Sequence, residues 1–157
     1  MDAQLAYHEA AETVIMKHFK EFINELFDKP ARWKKIKDGP DEYVYKSDIN
    51  GKDLTVIIEE FAAEWEALFK VDGSMDITGT GNEVKVFSTV LDIISDFINS
   101  EEPDVIIFSA SKSQSSSRSN LYDRLVKRFA KTRGYTSTSH NTTVNGERAI
   151  QYTLERQ

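Results

Sequence analysis

The most constraining feature of this 157-residue chain is the run Asp104-Val105-Ile106-Ile107-Phe108, set between two amphipathic stretches. A continuous apolar run of strand length has no polar face to offer water, so it predicts a central strand covered on both sides. The stretch before it carries Val84, Phe87, Val90, Leu91, Ile94, Phe97 and Ile98 at three- and four-residue spacing, which predicts one helix face. Glu101, Glu102 and Pro103 end that helix. The stretch after it carries Leu121, Leu125, Val126 and Phe129, another helix face, closed by Gly134 after Lys131 and Arg133. Helix, strand, helix is a unit that needs a sheet to pack on.

The rest of the sequence supplies that sheet. Tyr43-Val44-Tyr45 and Leu54–Ile58 flank Asn50-Gly51, a pair suited to the two positive-φ positions of a tight hairpin turn. Trp65, Ala67, Phe69 and Val71 alternate with Glu64, Glu66, Leu68 and Lys70 as a third strand, and Asp72-Gly73-Ser74 turns the chain. Met75-Asp76-Ile77 reads as a short strand leading into Thr78–Asn82. The segment from Thr136 to Arg156 reads as a polar hairpin about Asn145-Gly146, with Ile150, Tyr152 and Leu154 alternating. At the other end, Val14, Ile15, Phe19, Phe22, Ile23, Leu26 and Phe27 form one apolar helical stripe stopped by Pro30. Residues 1–157 therefore read as a single α/β (α+β) domain, with a mixed, mostly antiparallel sheet flanked by three helices.

Composition narrows the chemistry. There is no cysteine, so disulfides, thiolate metal sites and a cysteine nucleophile are excluded, and a reducing, cytoplasmic setting is expected. The start Met1-Asp2-Ala3-Gln4 shows no signal peptide, and no segment has the length of apolar chain that spans a membrane. Charge is uneven: residues 1–110 carry −12 and residues 111–135 carry +6, against a total of −6. The basic segment suits an anion or a solvated helix face, while the net negative charge argues against nucleic acid. No Gly-x-Ser-x-Gly elbow, Walker lysine or His-Glu-x-x-His is present, and His140 has no partner for a triad, so no metal is expected.

The order of elements, with Thr78-Gly79-Thr80-Gly81-Asn82 before a helix and Tyr122 and Gly134-Tyr135 in the next one, resembles the GCN5-related N-acetyltransferase (GNAT) fold. The resemblance implies acyl-coenzyme A as cofactor. The turn at Thr78–Asn82 and the helix start would hold its pyrophosphate, with Arg118 and Asn120 nearby, and Tyr122 would be the general acid for the departing thiolate. It also implies a base for an amine acceptor, for which Glu64 or Glu66 is the candidate, with Glu59 and Glu60 similarly placed. From Thr78 to Tyr135 the chain is also similar to small proteins encoded by tailed bacteriophages. That likeness implies an alternative, a non-catalytic GNAT-like protein that binds a host or virion protein in the host cytoplasm. Two features depart from the family pattern. Asp76 stands where a phosphate partner is expected, and Tyr122 lies twelve residues before Gly134, which lengthens the helix. The bland readings stand beside these. Thr80 with Glu83 forms a capping box, Tyr122 is a core aromatic, the glutamates line a solvated strand face, and the serines from Ser109 to Ser119 are loop residues with Ser117 and Ser119 as helix caps.

Overall fold

The computed structural model describes residues 30–74, 83–111 and 116–157. The expected first helix, the short strand Met75–Ile77 and the turn Thr78–Asn82 lie outside them. Seven strands form one sheet: β1 (Trp33–Asp38), β2 (Glu42–Ile49), β3 (Lys52–Phe61), β4 (Glu64–Val71), β5 (Val105–Ser111), β6 (Tyr135–Val144) and β7 (Glu147–Arg156). Their order across the sheet is β1-β2-β3-β4-β5-β7-β6. Helix α1 (Glu83–Glu101) joins β4 to β5, and helix α2 (Ser116–Thr132) joins β5 to β6. Only β4 and β5 run parallel; all other neighbours are antiparallel. This is the mixed, mostly antiparallel architecture that the sequence predicts, and two of the three expected helices fall among the described residues.

Four antiparallel strands precede α1 among the described residues, where the sequence suggests three and then a short strand at Met75–Ile77 that lies outside them. The added one is β1. Its register with β2 slips between Lys35 and Lys37, so a bulge breaks the two-residue period that would mark a strand in Trp33–Asp38. The strand that pairs with β5 is Glu64–Val71. The tight turns form as expected: Asn50 and Gly51 have φ of 51° and 84°, Asn145 and Gly146 have 52° and 82°. Gly134 closes α2 at φ 78°, a conformation that costs a residue with a Cβ.

One face of the sheet is the core. Tyr45, Leu54, Val56, Ile58, Ala67, Phe69, Ile106, Phe108, Tyr152 and Leu154 point to it, each nearly inaccessible to water. Helix α1 buries Phe87, Val90, Leu91, Ile94 and Phe97 against it. Tyr43, Trp65 and Phe97 meet edge to face, with centroids 4.9 to 5.8 Å apart. Trp33 Nε1–H donates to Asp92 at 2.8 Å, and the Ala31 amide donates to Thr89 Oγ1 at 2.9 Å, so the start of the sheet is tied to α1. The Tyr43 hydroxyl donates to Glu101 near the helix end.

Two boundaries differ from the sequence reading. β5 continues through Ser109-Ala110-Ser111, because these small residues pair with β7 as far as Ser111↔Ala149. α2 already includes Ser117 and Ser119, which therefore lie in its first turn and do not cap it.

Candidate active site

The β4–β5 pairing is short. Trp65↔Ile106, Glu66↔Ile107 and Ala67↔Phe108 are its only rungs, although β4 runs on to Val71 and β5 to Ser111. Beyond Ala67 and Phe108 the strands separate. Each keeps its other neighbour, β3 for β4 and β7 for β5. The phase of those ladders shows which backbone groups face the opening. The Asp72 amide donates to the Asp53 carbonyl at 2.8 Å, so even-numbered residues of β4 bond to β3 and Phe69 turns its amide and carbonyl toward β5. The Arg156 amide donates to the Asp104 carbonyl at 2.8 Å, so Ser109 turns its backbone groups toward β4. Backbone groups buried at such a split need a partner, and an extended ligand carrying amides supplies one.

The helix-covered face of the sheet carries Tyr122, on α2. It is 4% exposed, and its ring stacks on Phe87 at 4.4 Å and 14°. Phe87 is in the first turns of α1, so the expected acid is held beside the helix start onto which Thr78–Asn82 leads. Asn120, two residues before Tyr122, is exposed, and Arg118 lies in the first turn of α2. The glycine-bearing turn itself, Gly79 to Gly81 with Thr78, Thr80 and Asn82, is outside the described residues.

The opposite face of the sheet holds the glutamates. Glu64 and Glu66 are both exposed and both alternate away from the buried Trp65 and Ala67. They are not equivalent. Glu66 sits within the parallel rungs, one residue before the split, whereas Glu64 pairs with Phe61 farther off. Glu66 also faces Glu59 on β3, and Glu59 faces Glu42 on β2, so three carboxylates form one cross-strand row. Lys37 Nζ bonds Glu42 at 2.9 Å and holds its carboxyl below the usual range, with Glu59 also donating to it. Glu59 is pushed up, first by sharing a hydrogen bond with Glu42, then by burial and by the charges of Glu42 and Glu66. Glu60, adjacent to Glu59 in the chain, alternates to the other side of β3 and is not in the row. The expected acid and base are thus on opposite faces, and the split between β4 and β5 is where the two faces communicate.

A second polar pair was missed in the sequence. The Tyr152 hydroxyl donates to Asp123 Oδ1 at 2.8 Å. Tyr152 stacks on Phe108, the residue of the last parallel rung, and Asp123 follows Tyr122 in α2. A hollow of about 280 Å³ lies beside them, lined in part by Lys127, Ser137 and Ser139. The alternation of Ile150, Tyr152 and Leu154 located the strand, but no local signal in the sequence pairs Tyr152 with a helix 29 residues earlier. Among the described residues no group of three or more His, Cys, Asp or Glu is arranged to hold a metal ion, and no helix is long and apolar enough to cross a membrane.

No family model and no curated protein matches the chain. Solved structures similar to it include an acetyltransferase of Bacillus subtilis in complex with CoA. That pair shares 12% identity over 81% of this chain and 99% of the other, with a TM-score of 0.43. A Sphaerobacter thermophilus protein assigned as an acetyltransferase shares 14% identity over 87% of both chains, with a TM-score of 0.43. The ribosomal-protein-S5-alanine acetyltransferase of Vibrio fischeri shares 13% identity over 74% of this chain and 61% of that one, with a TM-score of 0.37.

Proposed function

We propose that this chain is an acyl-coenzyme A-dependent N-acyltransferase of GNAT type, acting on a primary amine. The observation that carries the reading is the split after three parallel rungs, with Glu66 one residue before it on the open face; Tyr122, stacked on Phe87 near the start of α1, stands on the helix face. The amide and carbonyl of Phe69 and the carbonyl of Ser109 suit the amides of an extended pantetheine arm. The start of α1 suits the phosphates, since a helix N-terminus and its dipole favour anions. The cofactor supplies an activated acyl thioester when bound. Glu66 takes the proton from the incoming ammonium or amine, so that nitrogen forms the new bond to the acyl carbon. Glu66 shares its cross-strand row with Glu59 and Glu42, so this face gathers carboxyl groups, which favours a cationic acceptor there. Tyr122 gives its proton to the sulfur as the carbon–sulfur bond breaks.

A second reading keeps the fold without the chemistry: a non-catalytic protein, of the phage type that the sequence resembles, that binds a host or virion protein. The burial of Tyr122 in its stack on Phe87 supports it, because that ring already has a packing role.

Calorimetric titration with acetyl-coenzyme A, and with coenzyme A as the second ligand, separates the two. The enzyme reading expects micromolar binding, about −8 kcal/mol, lost when Gly81 is replaced by tryptophan. It further expects Tyr122→Phe to bind normally while acyl transfer falls by about 10² to 10⁴. Absence of heat and of thermal stabilisation at millimolar cofactor rules out the enzyme.

A further inference from the structure

The sheet has two edges, and they are built differently. β1 is guarded: it is six residues long, contains Lys34, Lys35, Lys37 and Asp38, and is interrupted by a bulge. These are the devices that keep an edge from pairing with another chain. β6 has none of them. Its ten residues, Tyr135-Thr-Ser-Thr-Ser-His-Asn-Thr-Thr-Val144, include no acid, lysine, arginine or proline. Its register with β7 is continuous from Tyr135↔Arg156 to Val144↔Glu147, so no bulge turns it aside. Its residues are rich in β-branched threonine, which suits a strand.

The phase of the β6–β7 ladder identifies what the edge presents. The Gln157 amide donates to the Gly134 carbonyl at 2.9 Å, so even-numbered residues of β6 bond to β7. Ser137, Ser139, Asn141 and Thr143 therefore turn both amide and carbonyl outward. No described strand lies beyond them.

We propose that β6 pairs antiparallel with β6 of a second copy of this chain, continuing the sheet through a two-fold axis at His140. The strand is its own complement. About that axis Ser139 faces Asn141 and Ser137 faces Thr143 of the other copy, and each such pair exchanges both backbone bonds. Thr138 faces Thr142, and His140 faces itself. No like-charged carboxylates or ammonium groups come into opposition, which is what the uncharged composition permits and what β1 would forbid. The register keeps the pairing within Thr136–Val144, the exposed part of the strand. A second copy is favoured over a foreign peptide because one strand supplies matched donors, acceptors and neutral side chains on both sides. A pair of nine-residue strands, about 31 Å long, buries less than a standard interface, so the dimer is weak and concentration-dependent.

Sedimentation velocity on the full chain tests this. The wild type is expected to pass from monomer to dimer in the range of tens to hundreds of micromolar. Asn141→Pro removes one outward amide and no bond to β7, so it is expected to keep the circular dichroism of the wild type and weaken association at least tenfold. Because the chain has no cysteine, a single His140→Cys change reads the register directly. Facing strands bring two such thiols within disulfide reach, whereas Lys34→Cys on the guarded edge does not cross-link. A wild-type protein that stays monomeric to about a millimolar, or His140→Cys that cross-links no faster than Lys34→Cys, overturns the proposal.

Discussion

The Tyr152–Asp123 bond joins helix α2 to the central strands beside the split, and its worth can be measured. Tyr152 is 2% exposed, and its hydroxyl donates to a half-buried carboxylate at 2.8 Å. Burial pushes the phenol's pKa up first, and the Asp123 carboxylate adds to the shift. A hydrogen bond to a charged group contributes about 1.5 to 3 kcal/mol. Tyr152→Phe keeps the stack on Phe108 and the buried volume, so its cost is the bond plus the desolvated carboxylate left behind. Asp123→Ala strands a buried hydroxyl and is expected to cost about 1 to 3 kcal/mol. The double variant removes both polar partners. Its cost should fall short of the two single costs combined by about 1 to 2 kcal/mol, the coupling energy of the pair. Urea unfolding of all four proteins at pH 7 supplies the numbers, with unchanged m-values as the check that only the native state is altered. Purely additive costs, within about 0.3 kcal/mol, would refute the claim that this bond ties the helix to the sheet.

Glu59→Gln is expected to stabilise the chain at pH 7 by a few tenths to about 1 kcal/mol, because it relieves like-charge opposition to Glu42 and Glu66. Glu59's folded pKa is raised, so the repulsion it relieves is absent at acid pH, where the native carboxyl is protonated, and appears as pH rises through its folded value. The gain should therefore vanish in urea titrations at about pH 3, where the unfolded carboxyl too is mostly protonated. At the alkaline end Tyr43, held chiefly by its bond to Glu101, is pushed up to about 12, and Tyr45 is raised by burial and by Asp96. Unfolded phenols ionise near about 10, so this stability is intact below that pH and is lost as pH rises toward and through about 12. Tyr43→Phe should reduce the drop in urea midpoint between pH 9 and 12. Phe87→Ala removes the ring on which Tyr122 stacks and is expected to cost about 3 to 5 kcal/mol in the same assay. Gly51→Ala meets no atom within 4 Å yet is held at φ 84°, so it should cost about 1 kcal/mol through backbone strain alone.

What could be read from the chain without its structure was what short segments decide for themselves. Asn50-Gly51 and Asn145-Gly146 fix their own turns. The faces of α1 and α2 follow from spacing, and Gly134 ends its helix because a positive φ is needed there. The misses arose where distant segments decide. β1 became a strand by pairing with β2 through a bulge that erases its period. Ser109-Ala110-Ser111 looked like loop because serine is common in loops, but β7 recruits them into β5. Glu64 and Glu66 were indistinguishable until the register set Glu66 against Glu59 and beside Ile107. Glu42 and Asp123 gave no local sign, since each gains its role from a partner on another element.

The three-rung join between β4 and β5 also bears on how the chain acquires its shape. On one side stands a meander, β1 to β4, closed by short turns and so rich in contacts between near neighbours. On the other stands β5 with β7 and β6, whose pairing must wait for α2 and the last hairpin. Loop closure over longer spans is slower, so the meander is expected to form first and the join last. Amides of Ala67 and Ile107 should then report the docking of two halves in a pulse of hydrogen exchange during refolding, gaining protection after Tyr45 and Val56. The seam closed latest is the one in which Glu66 lies.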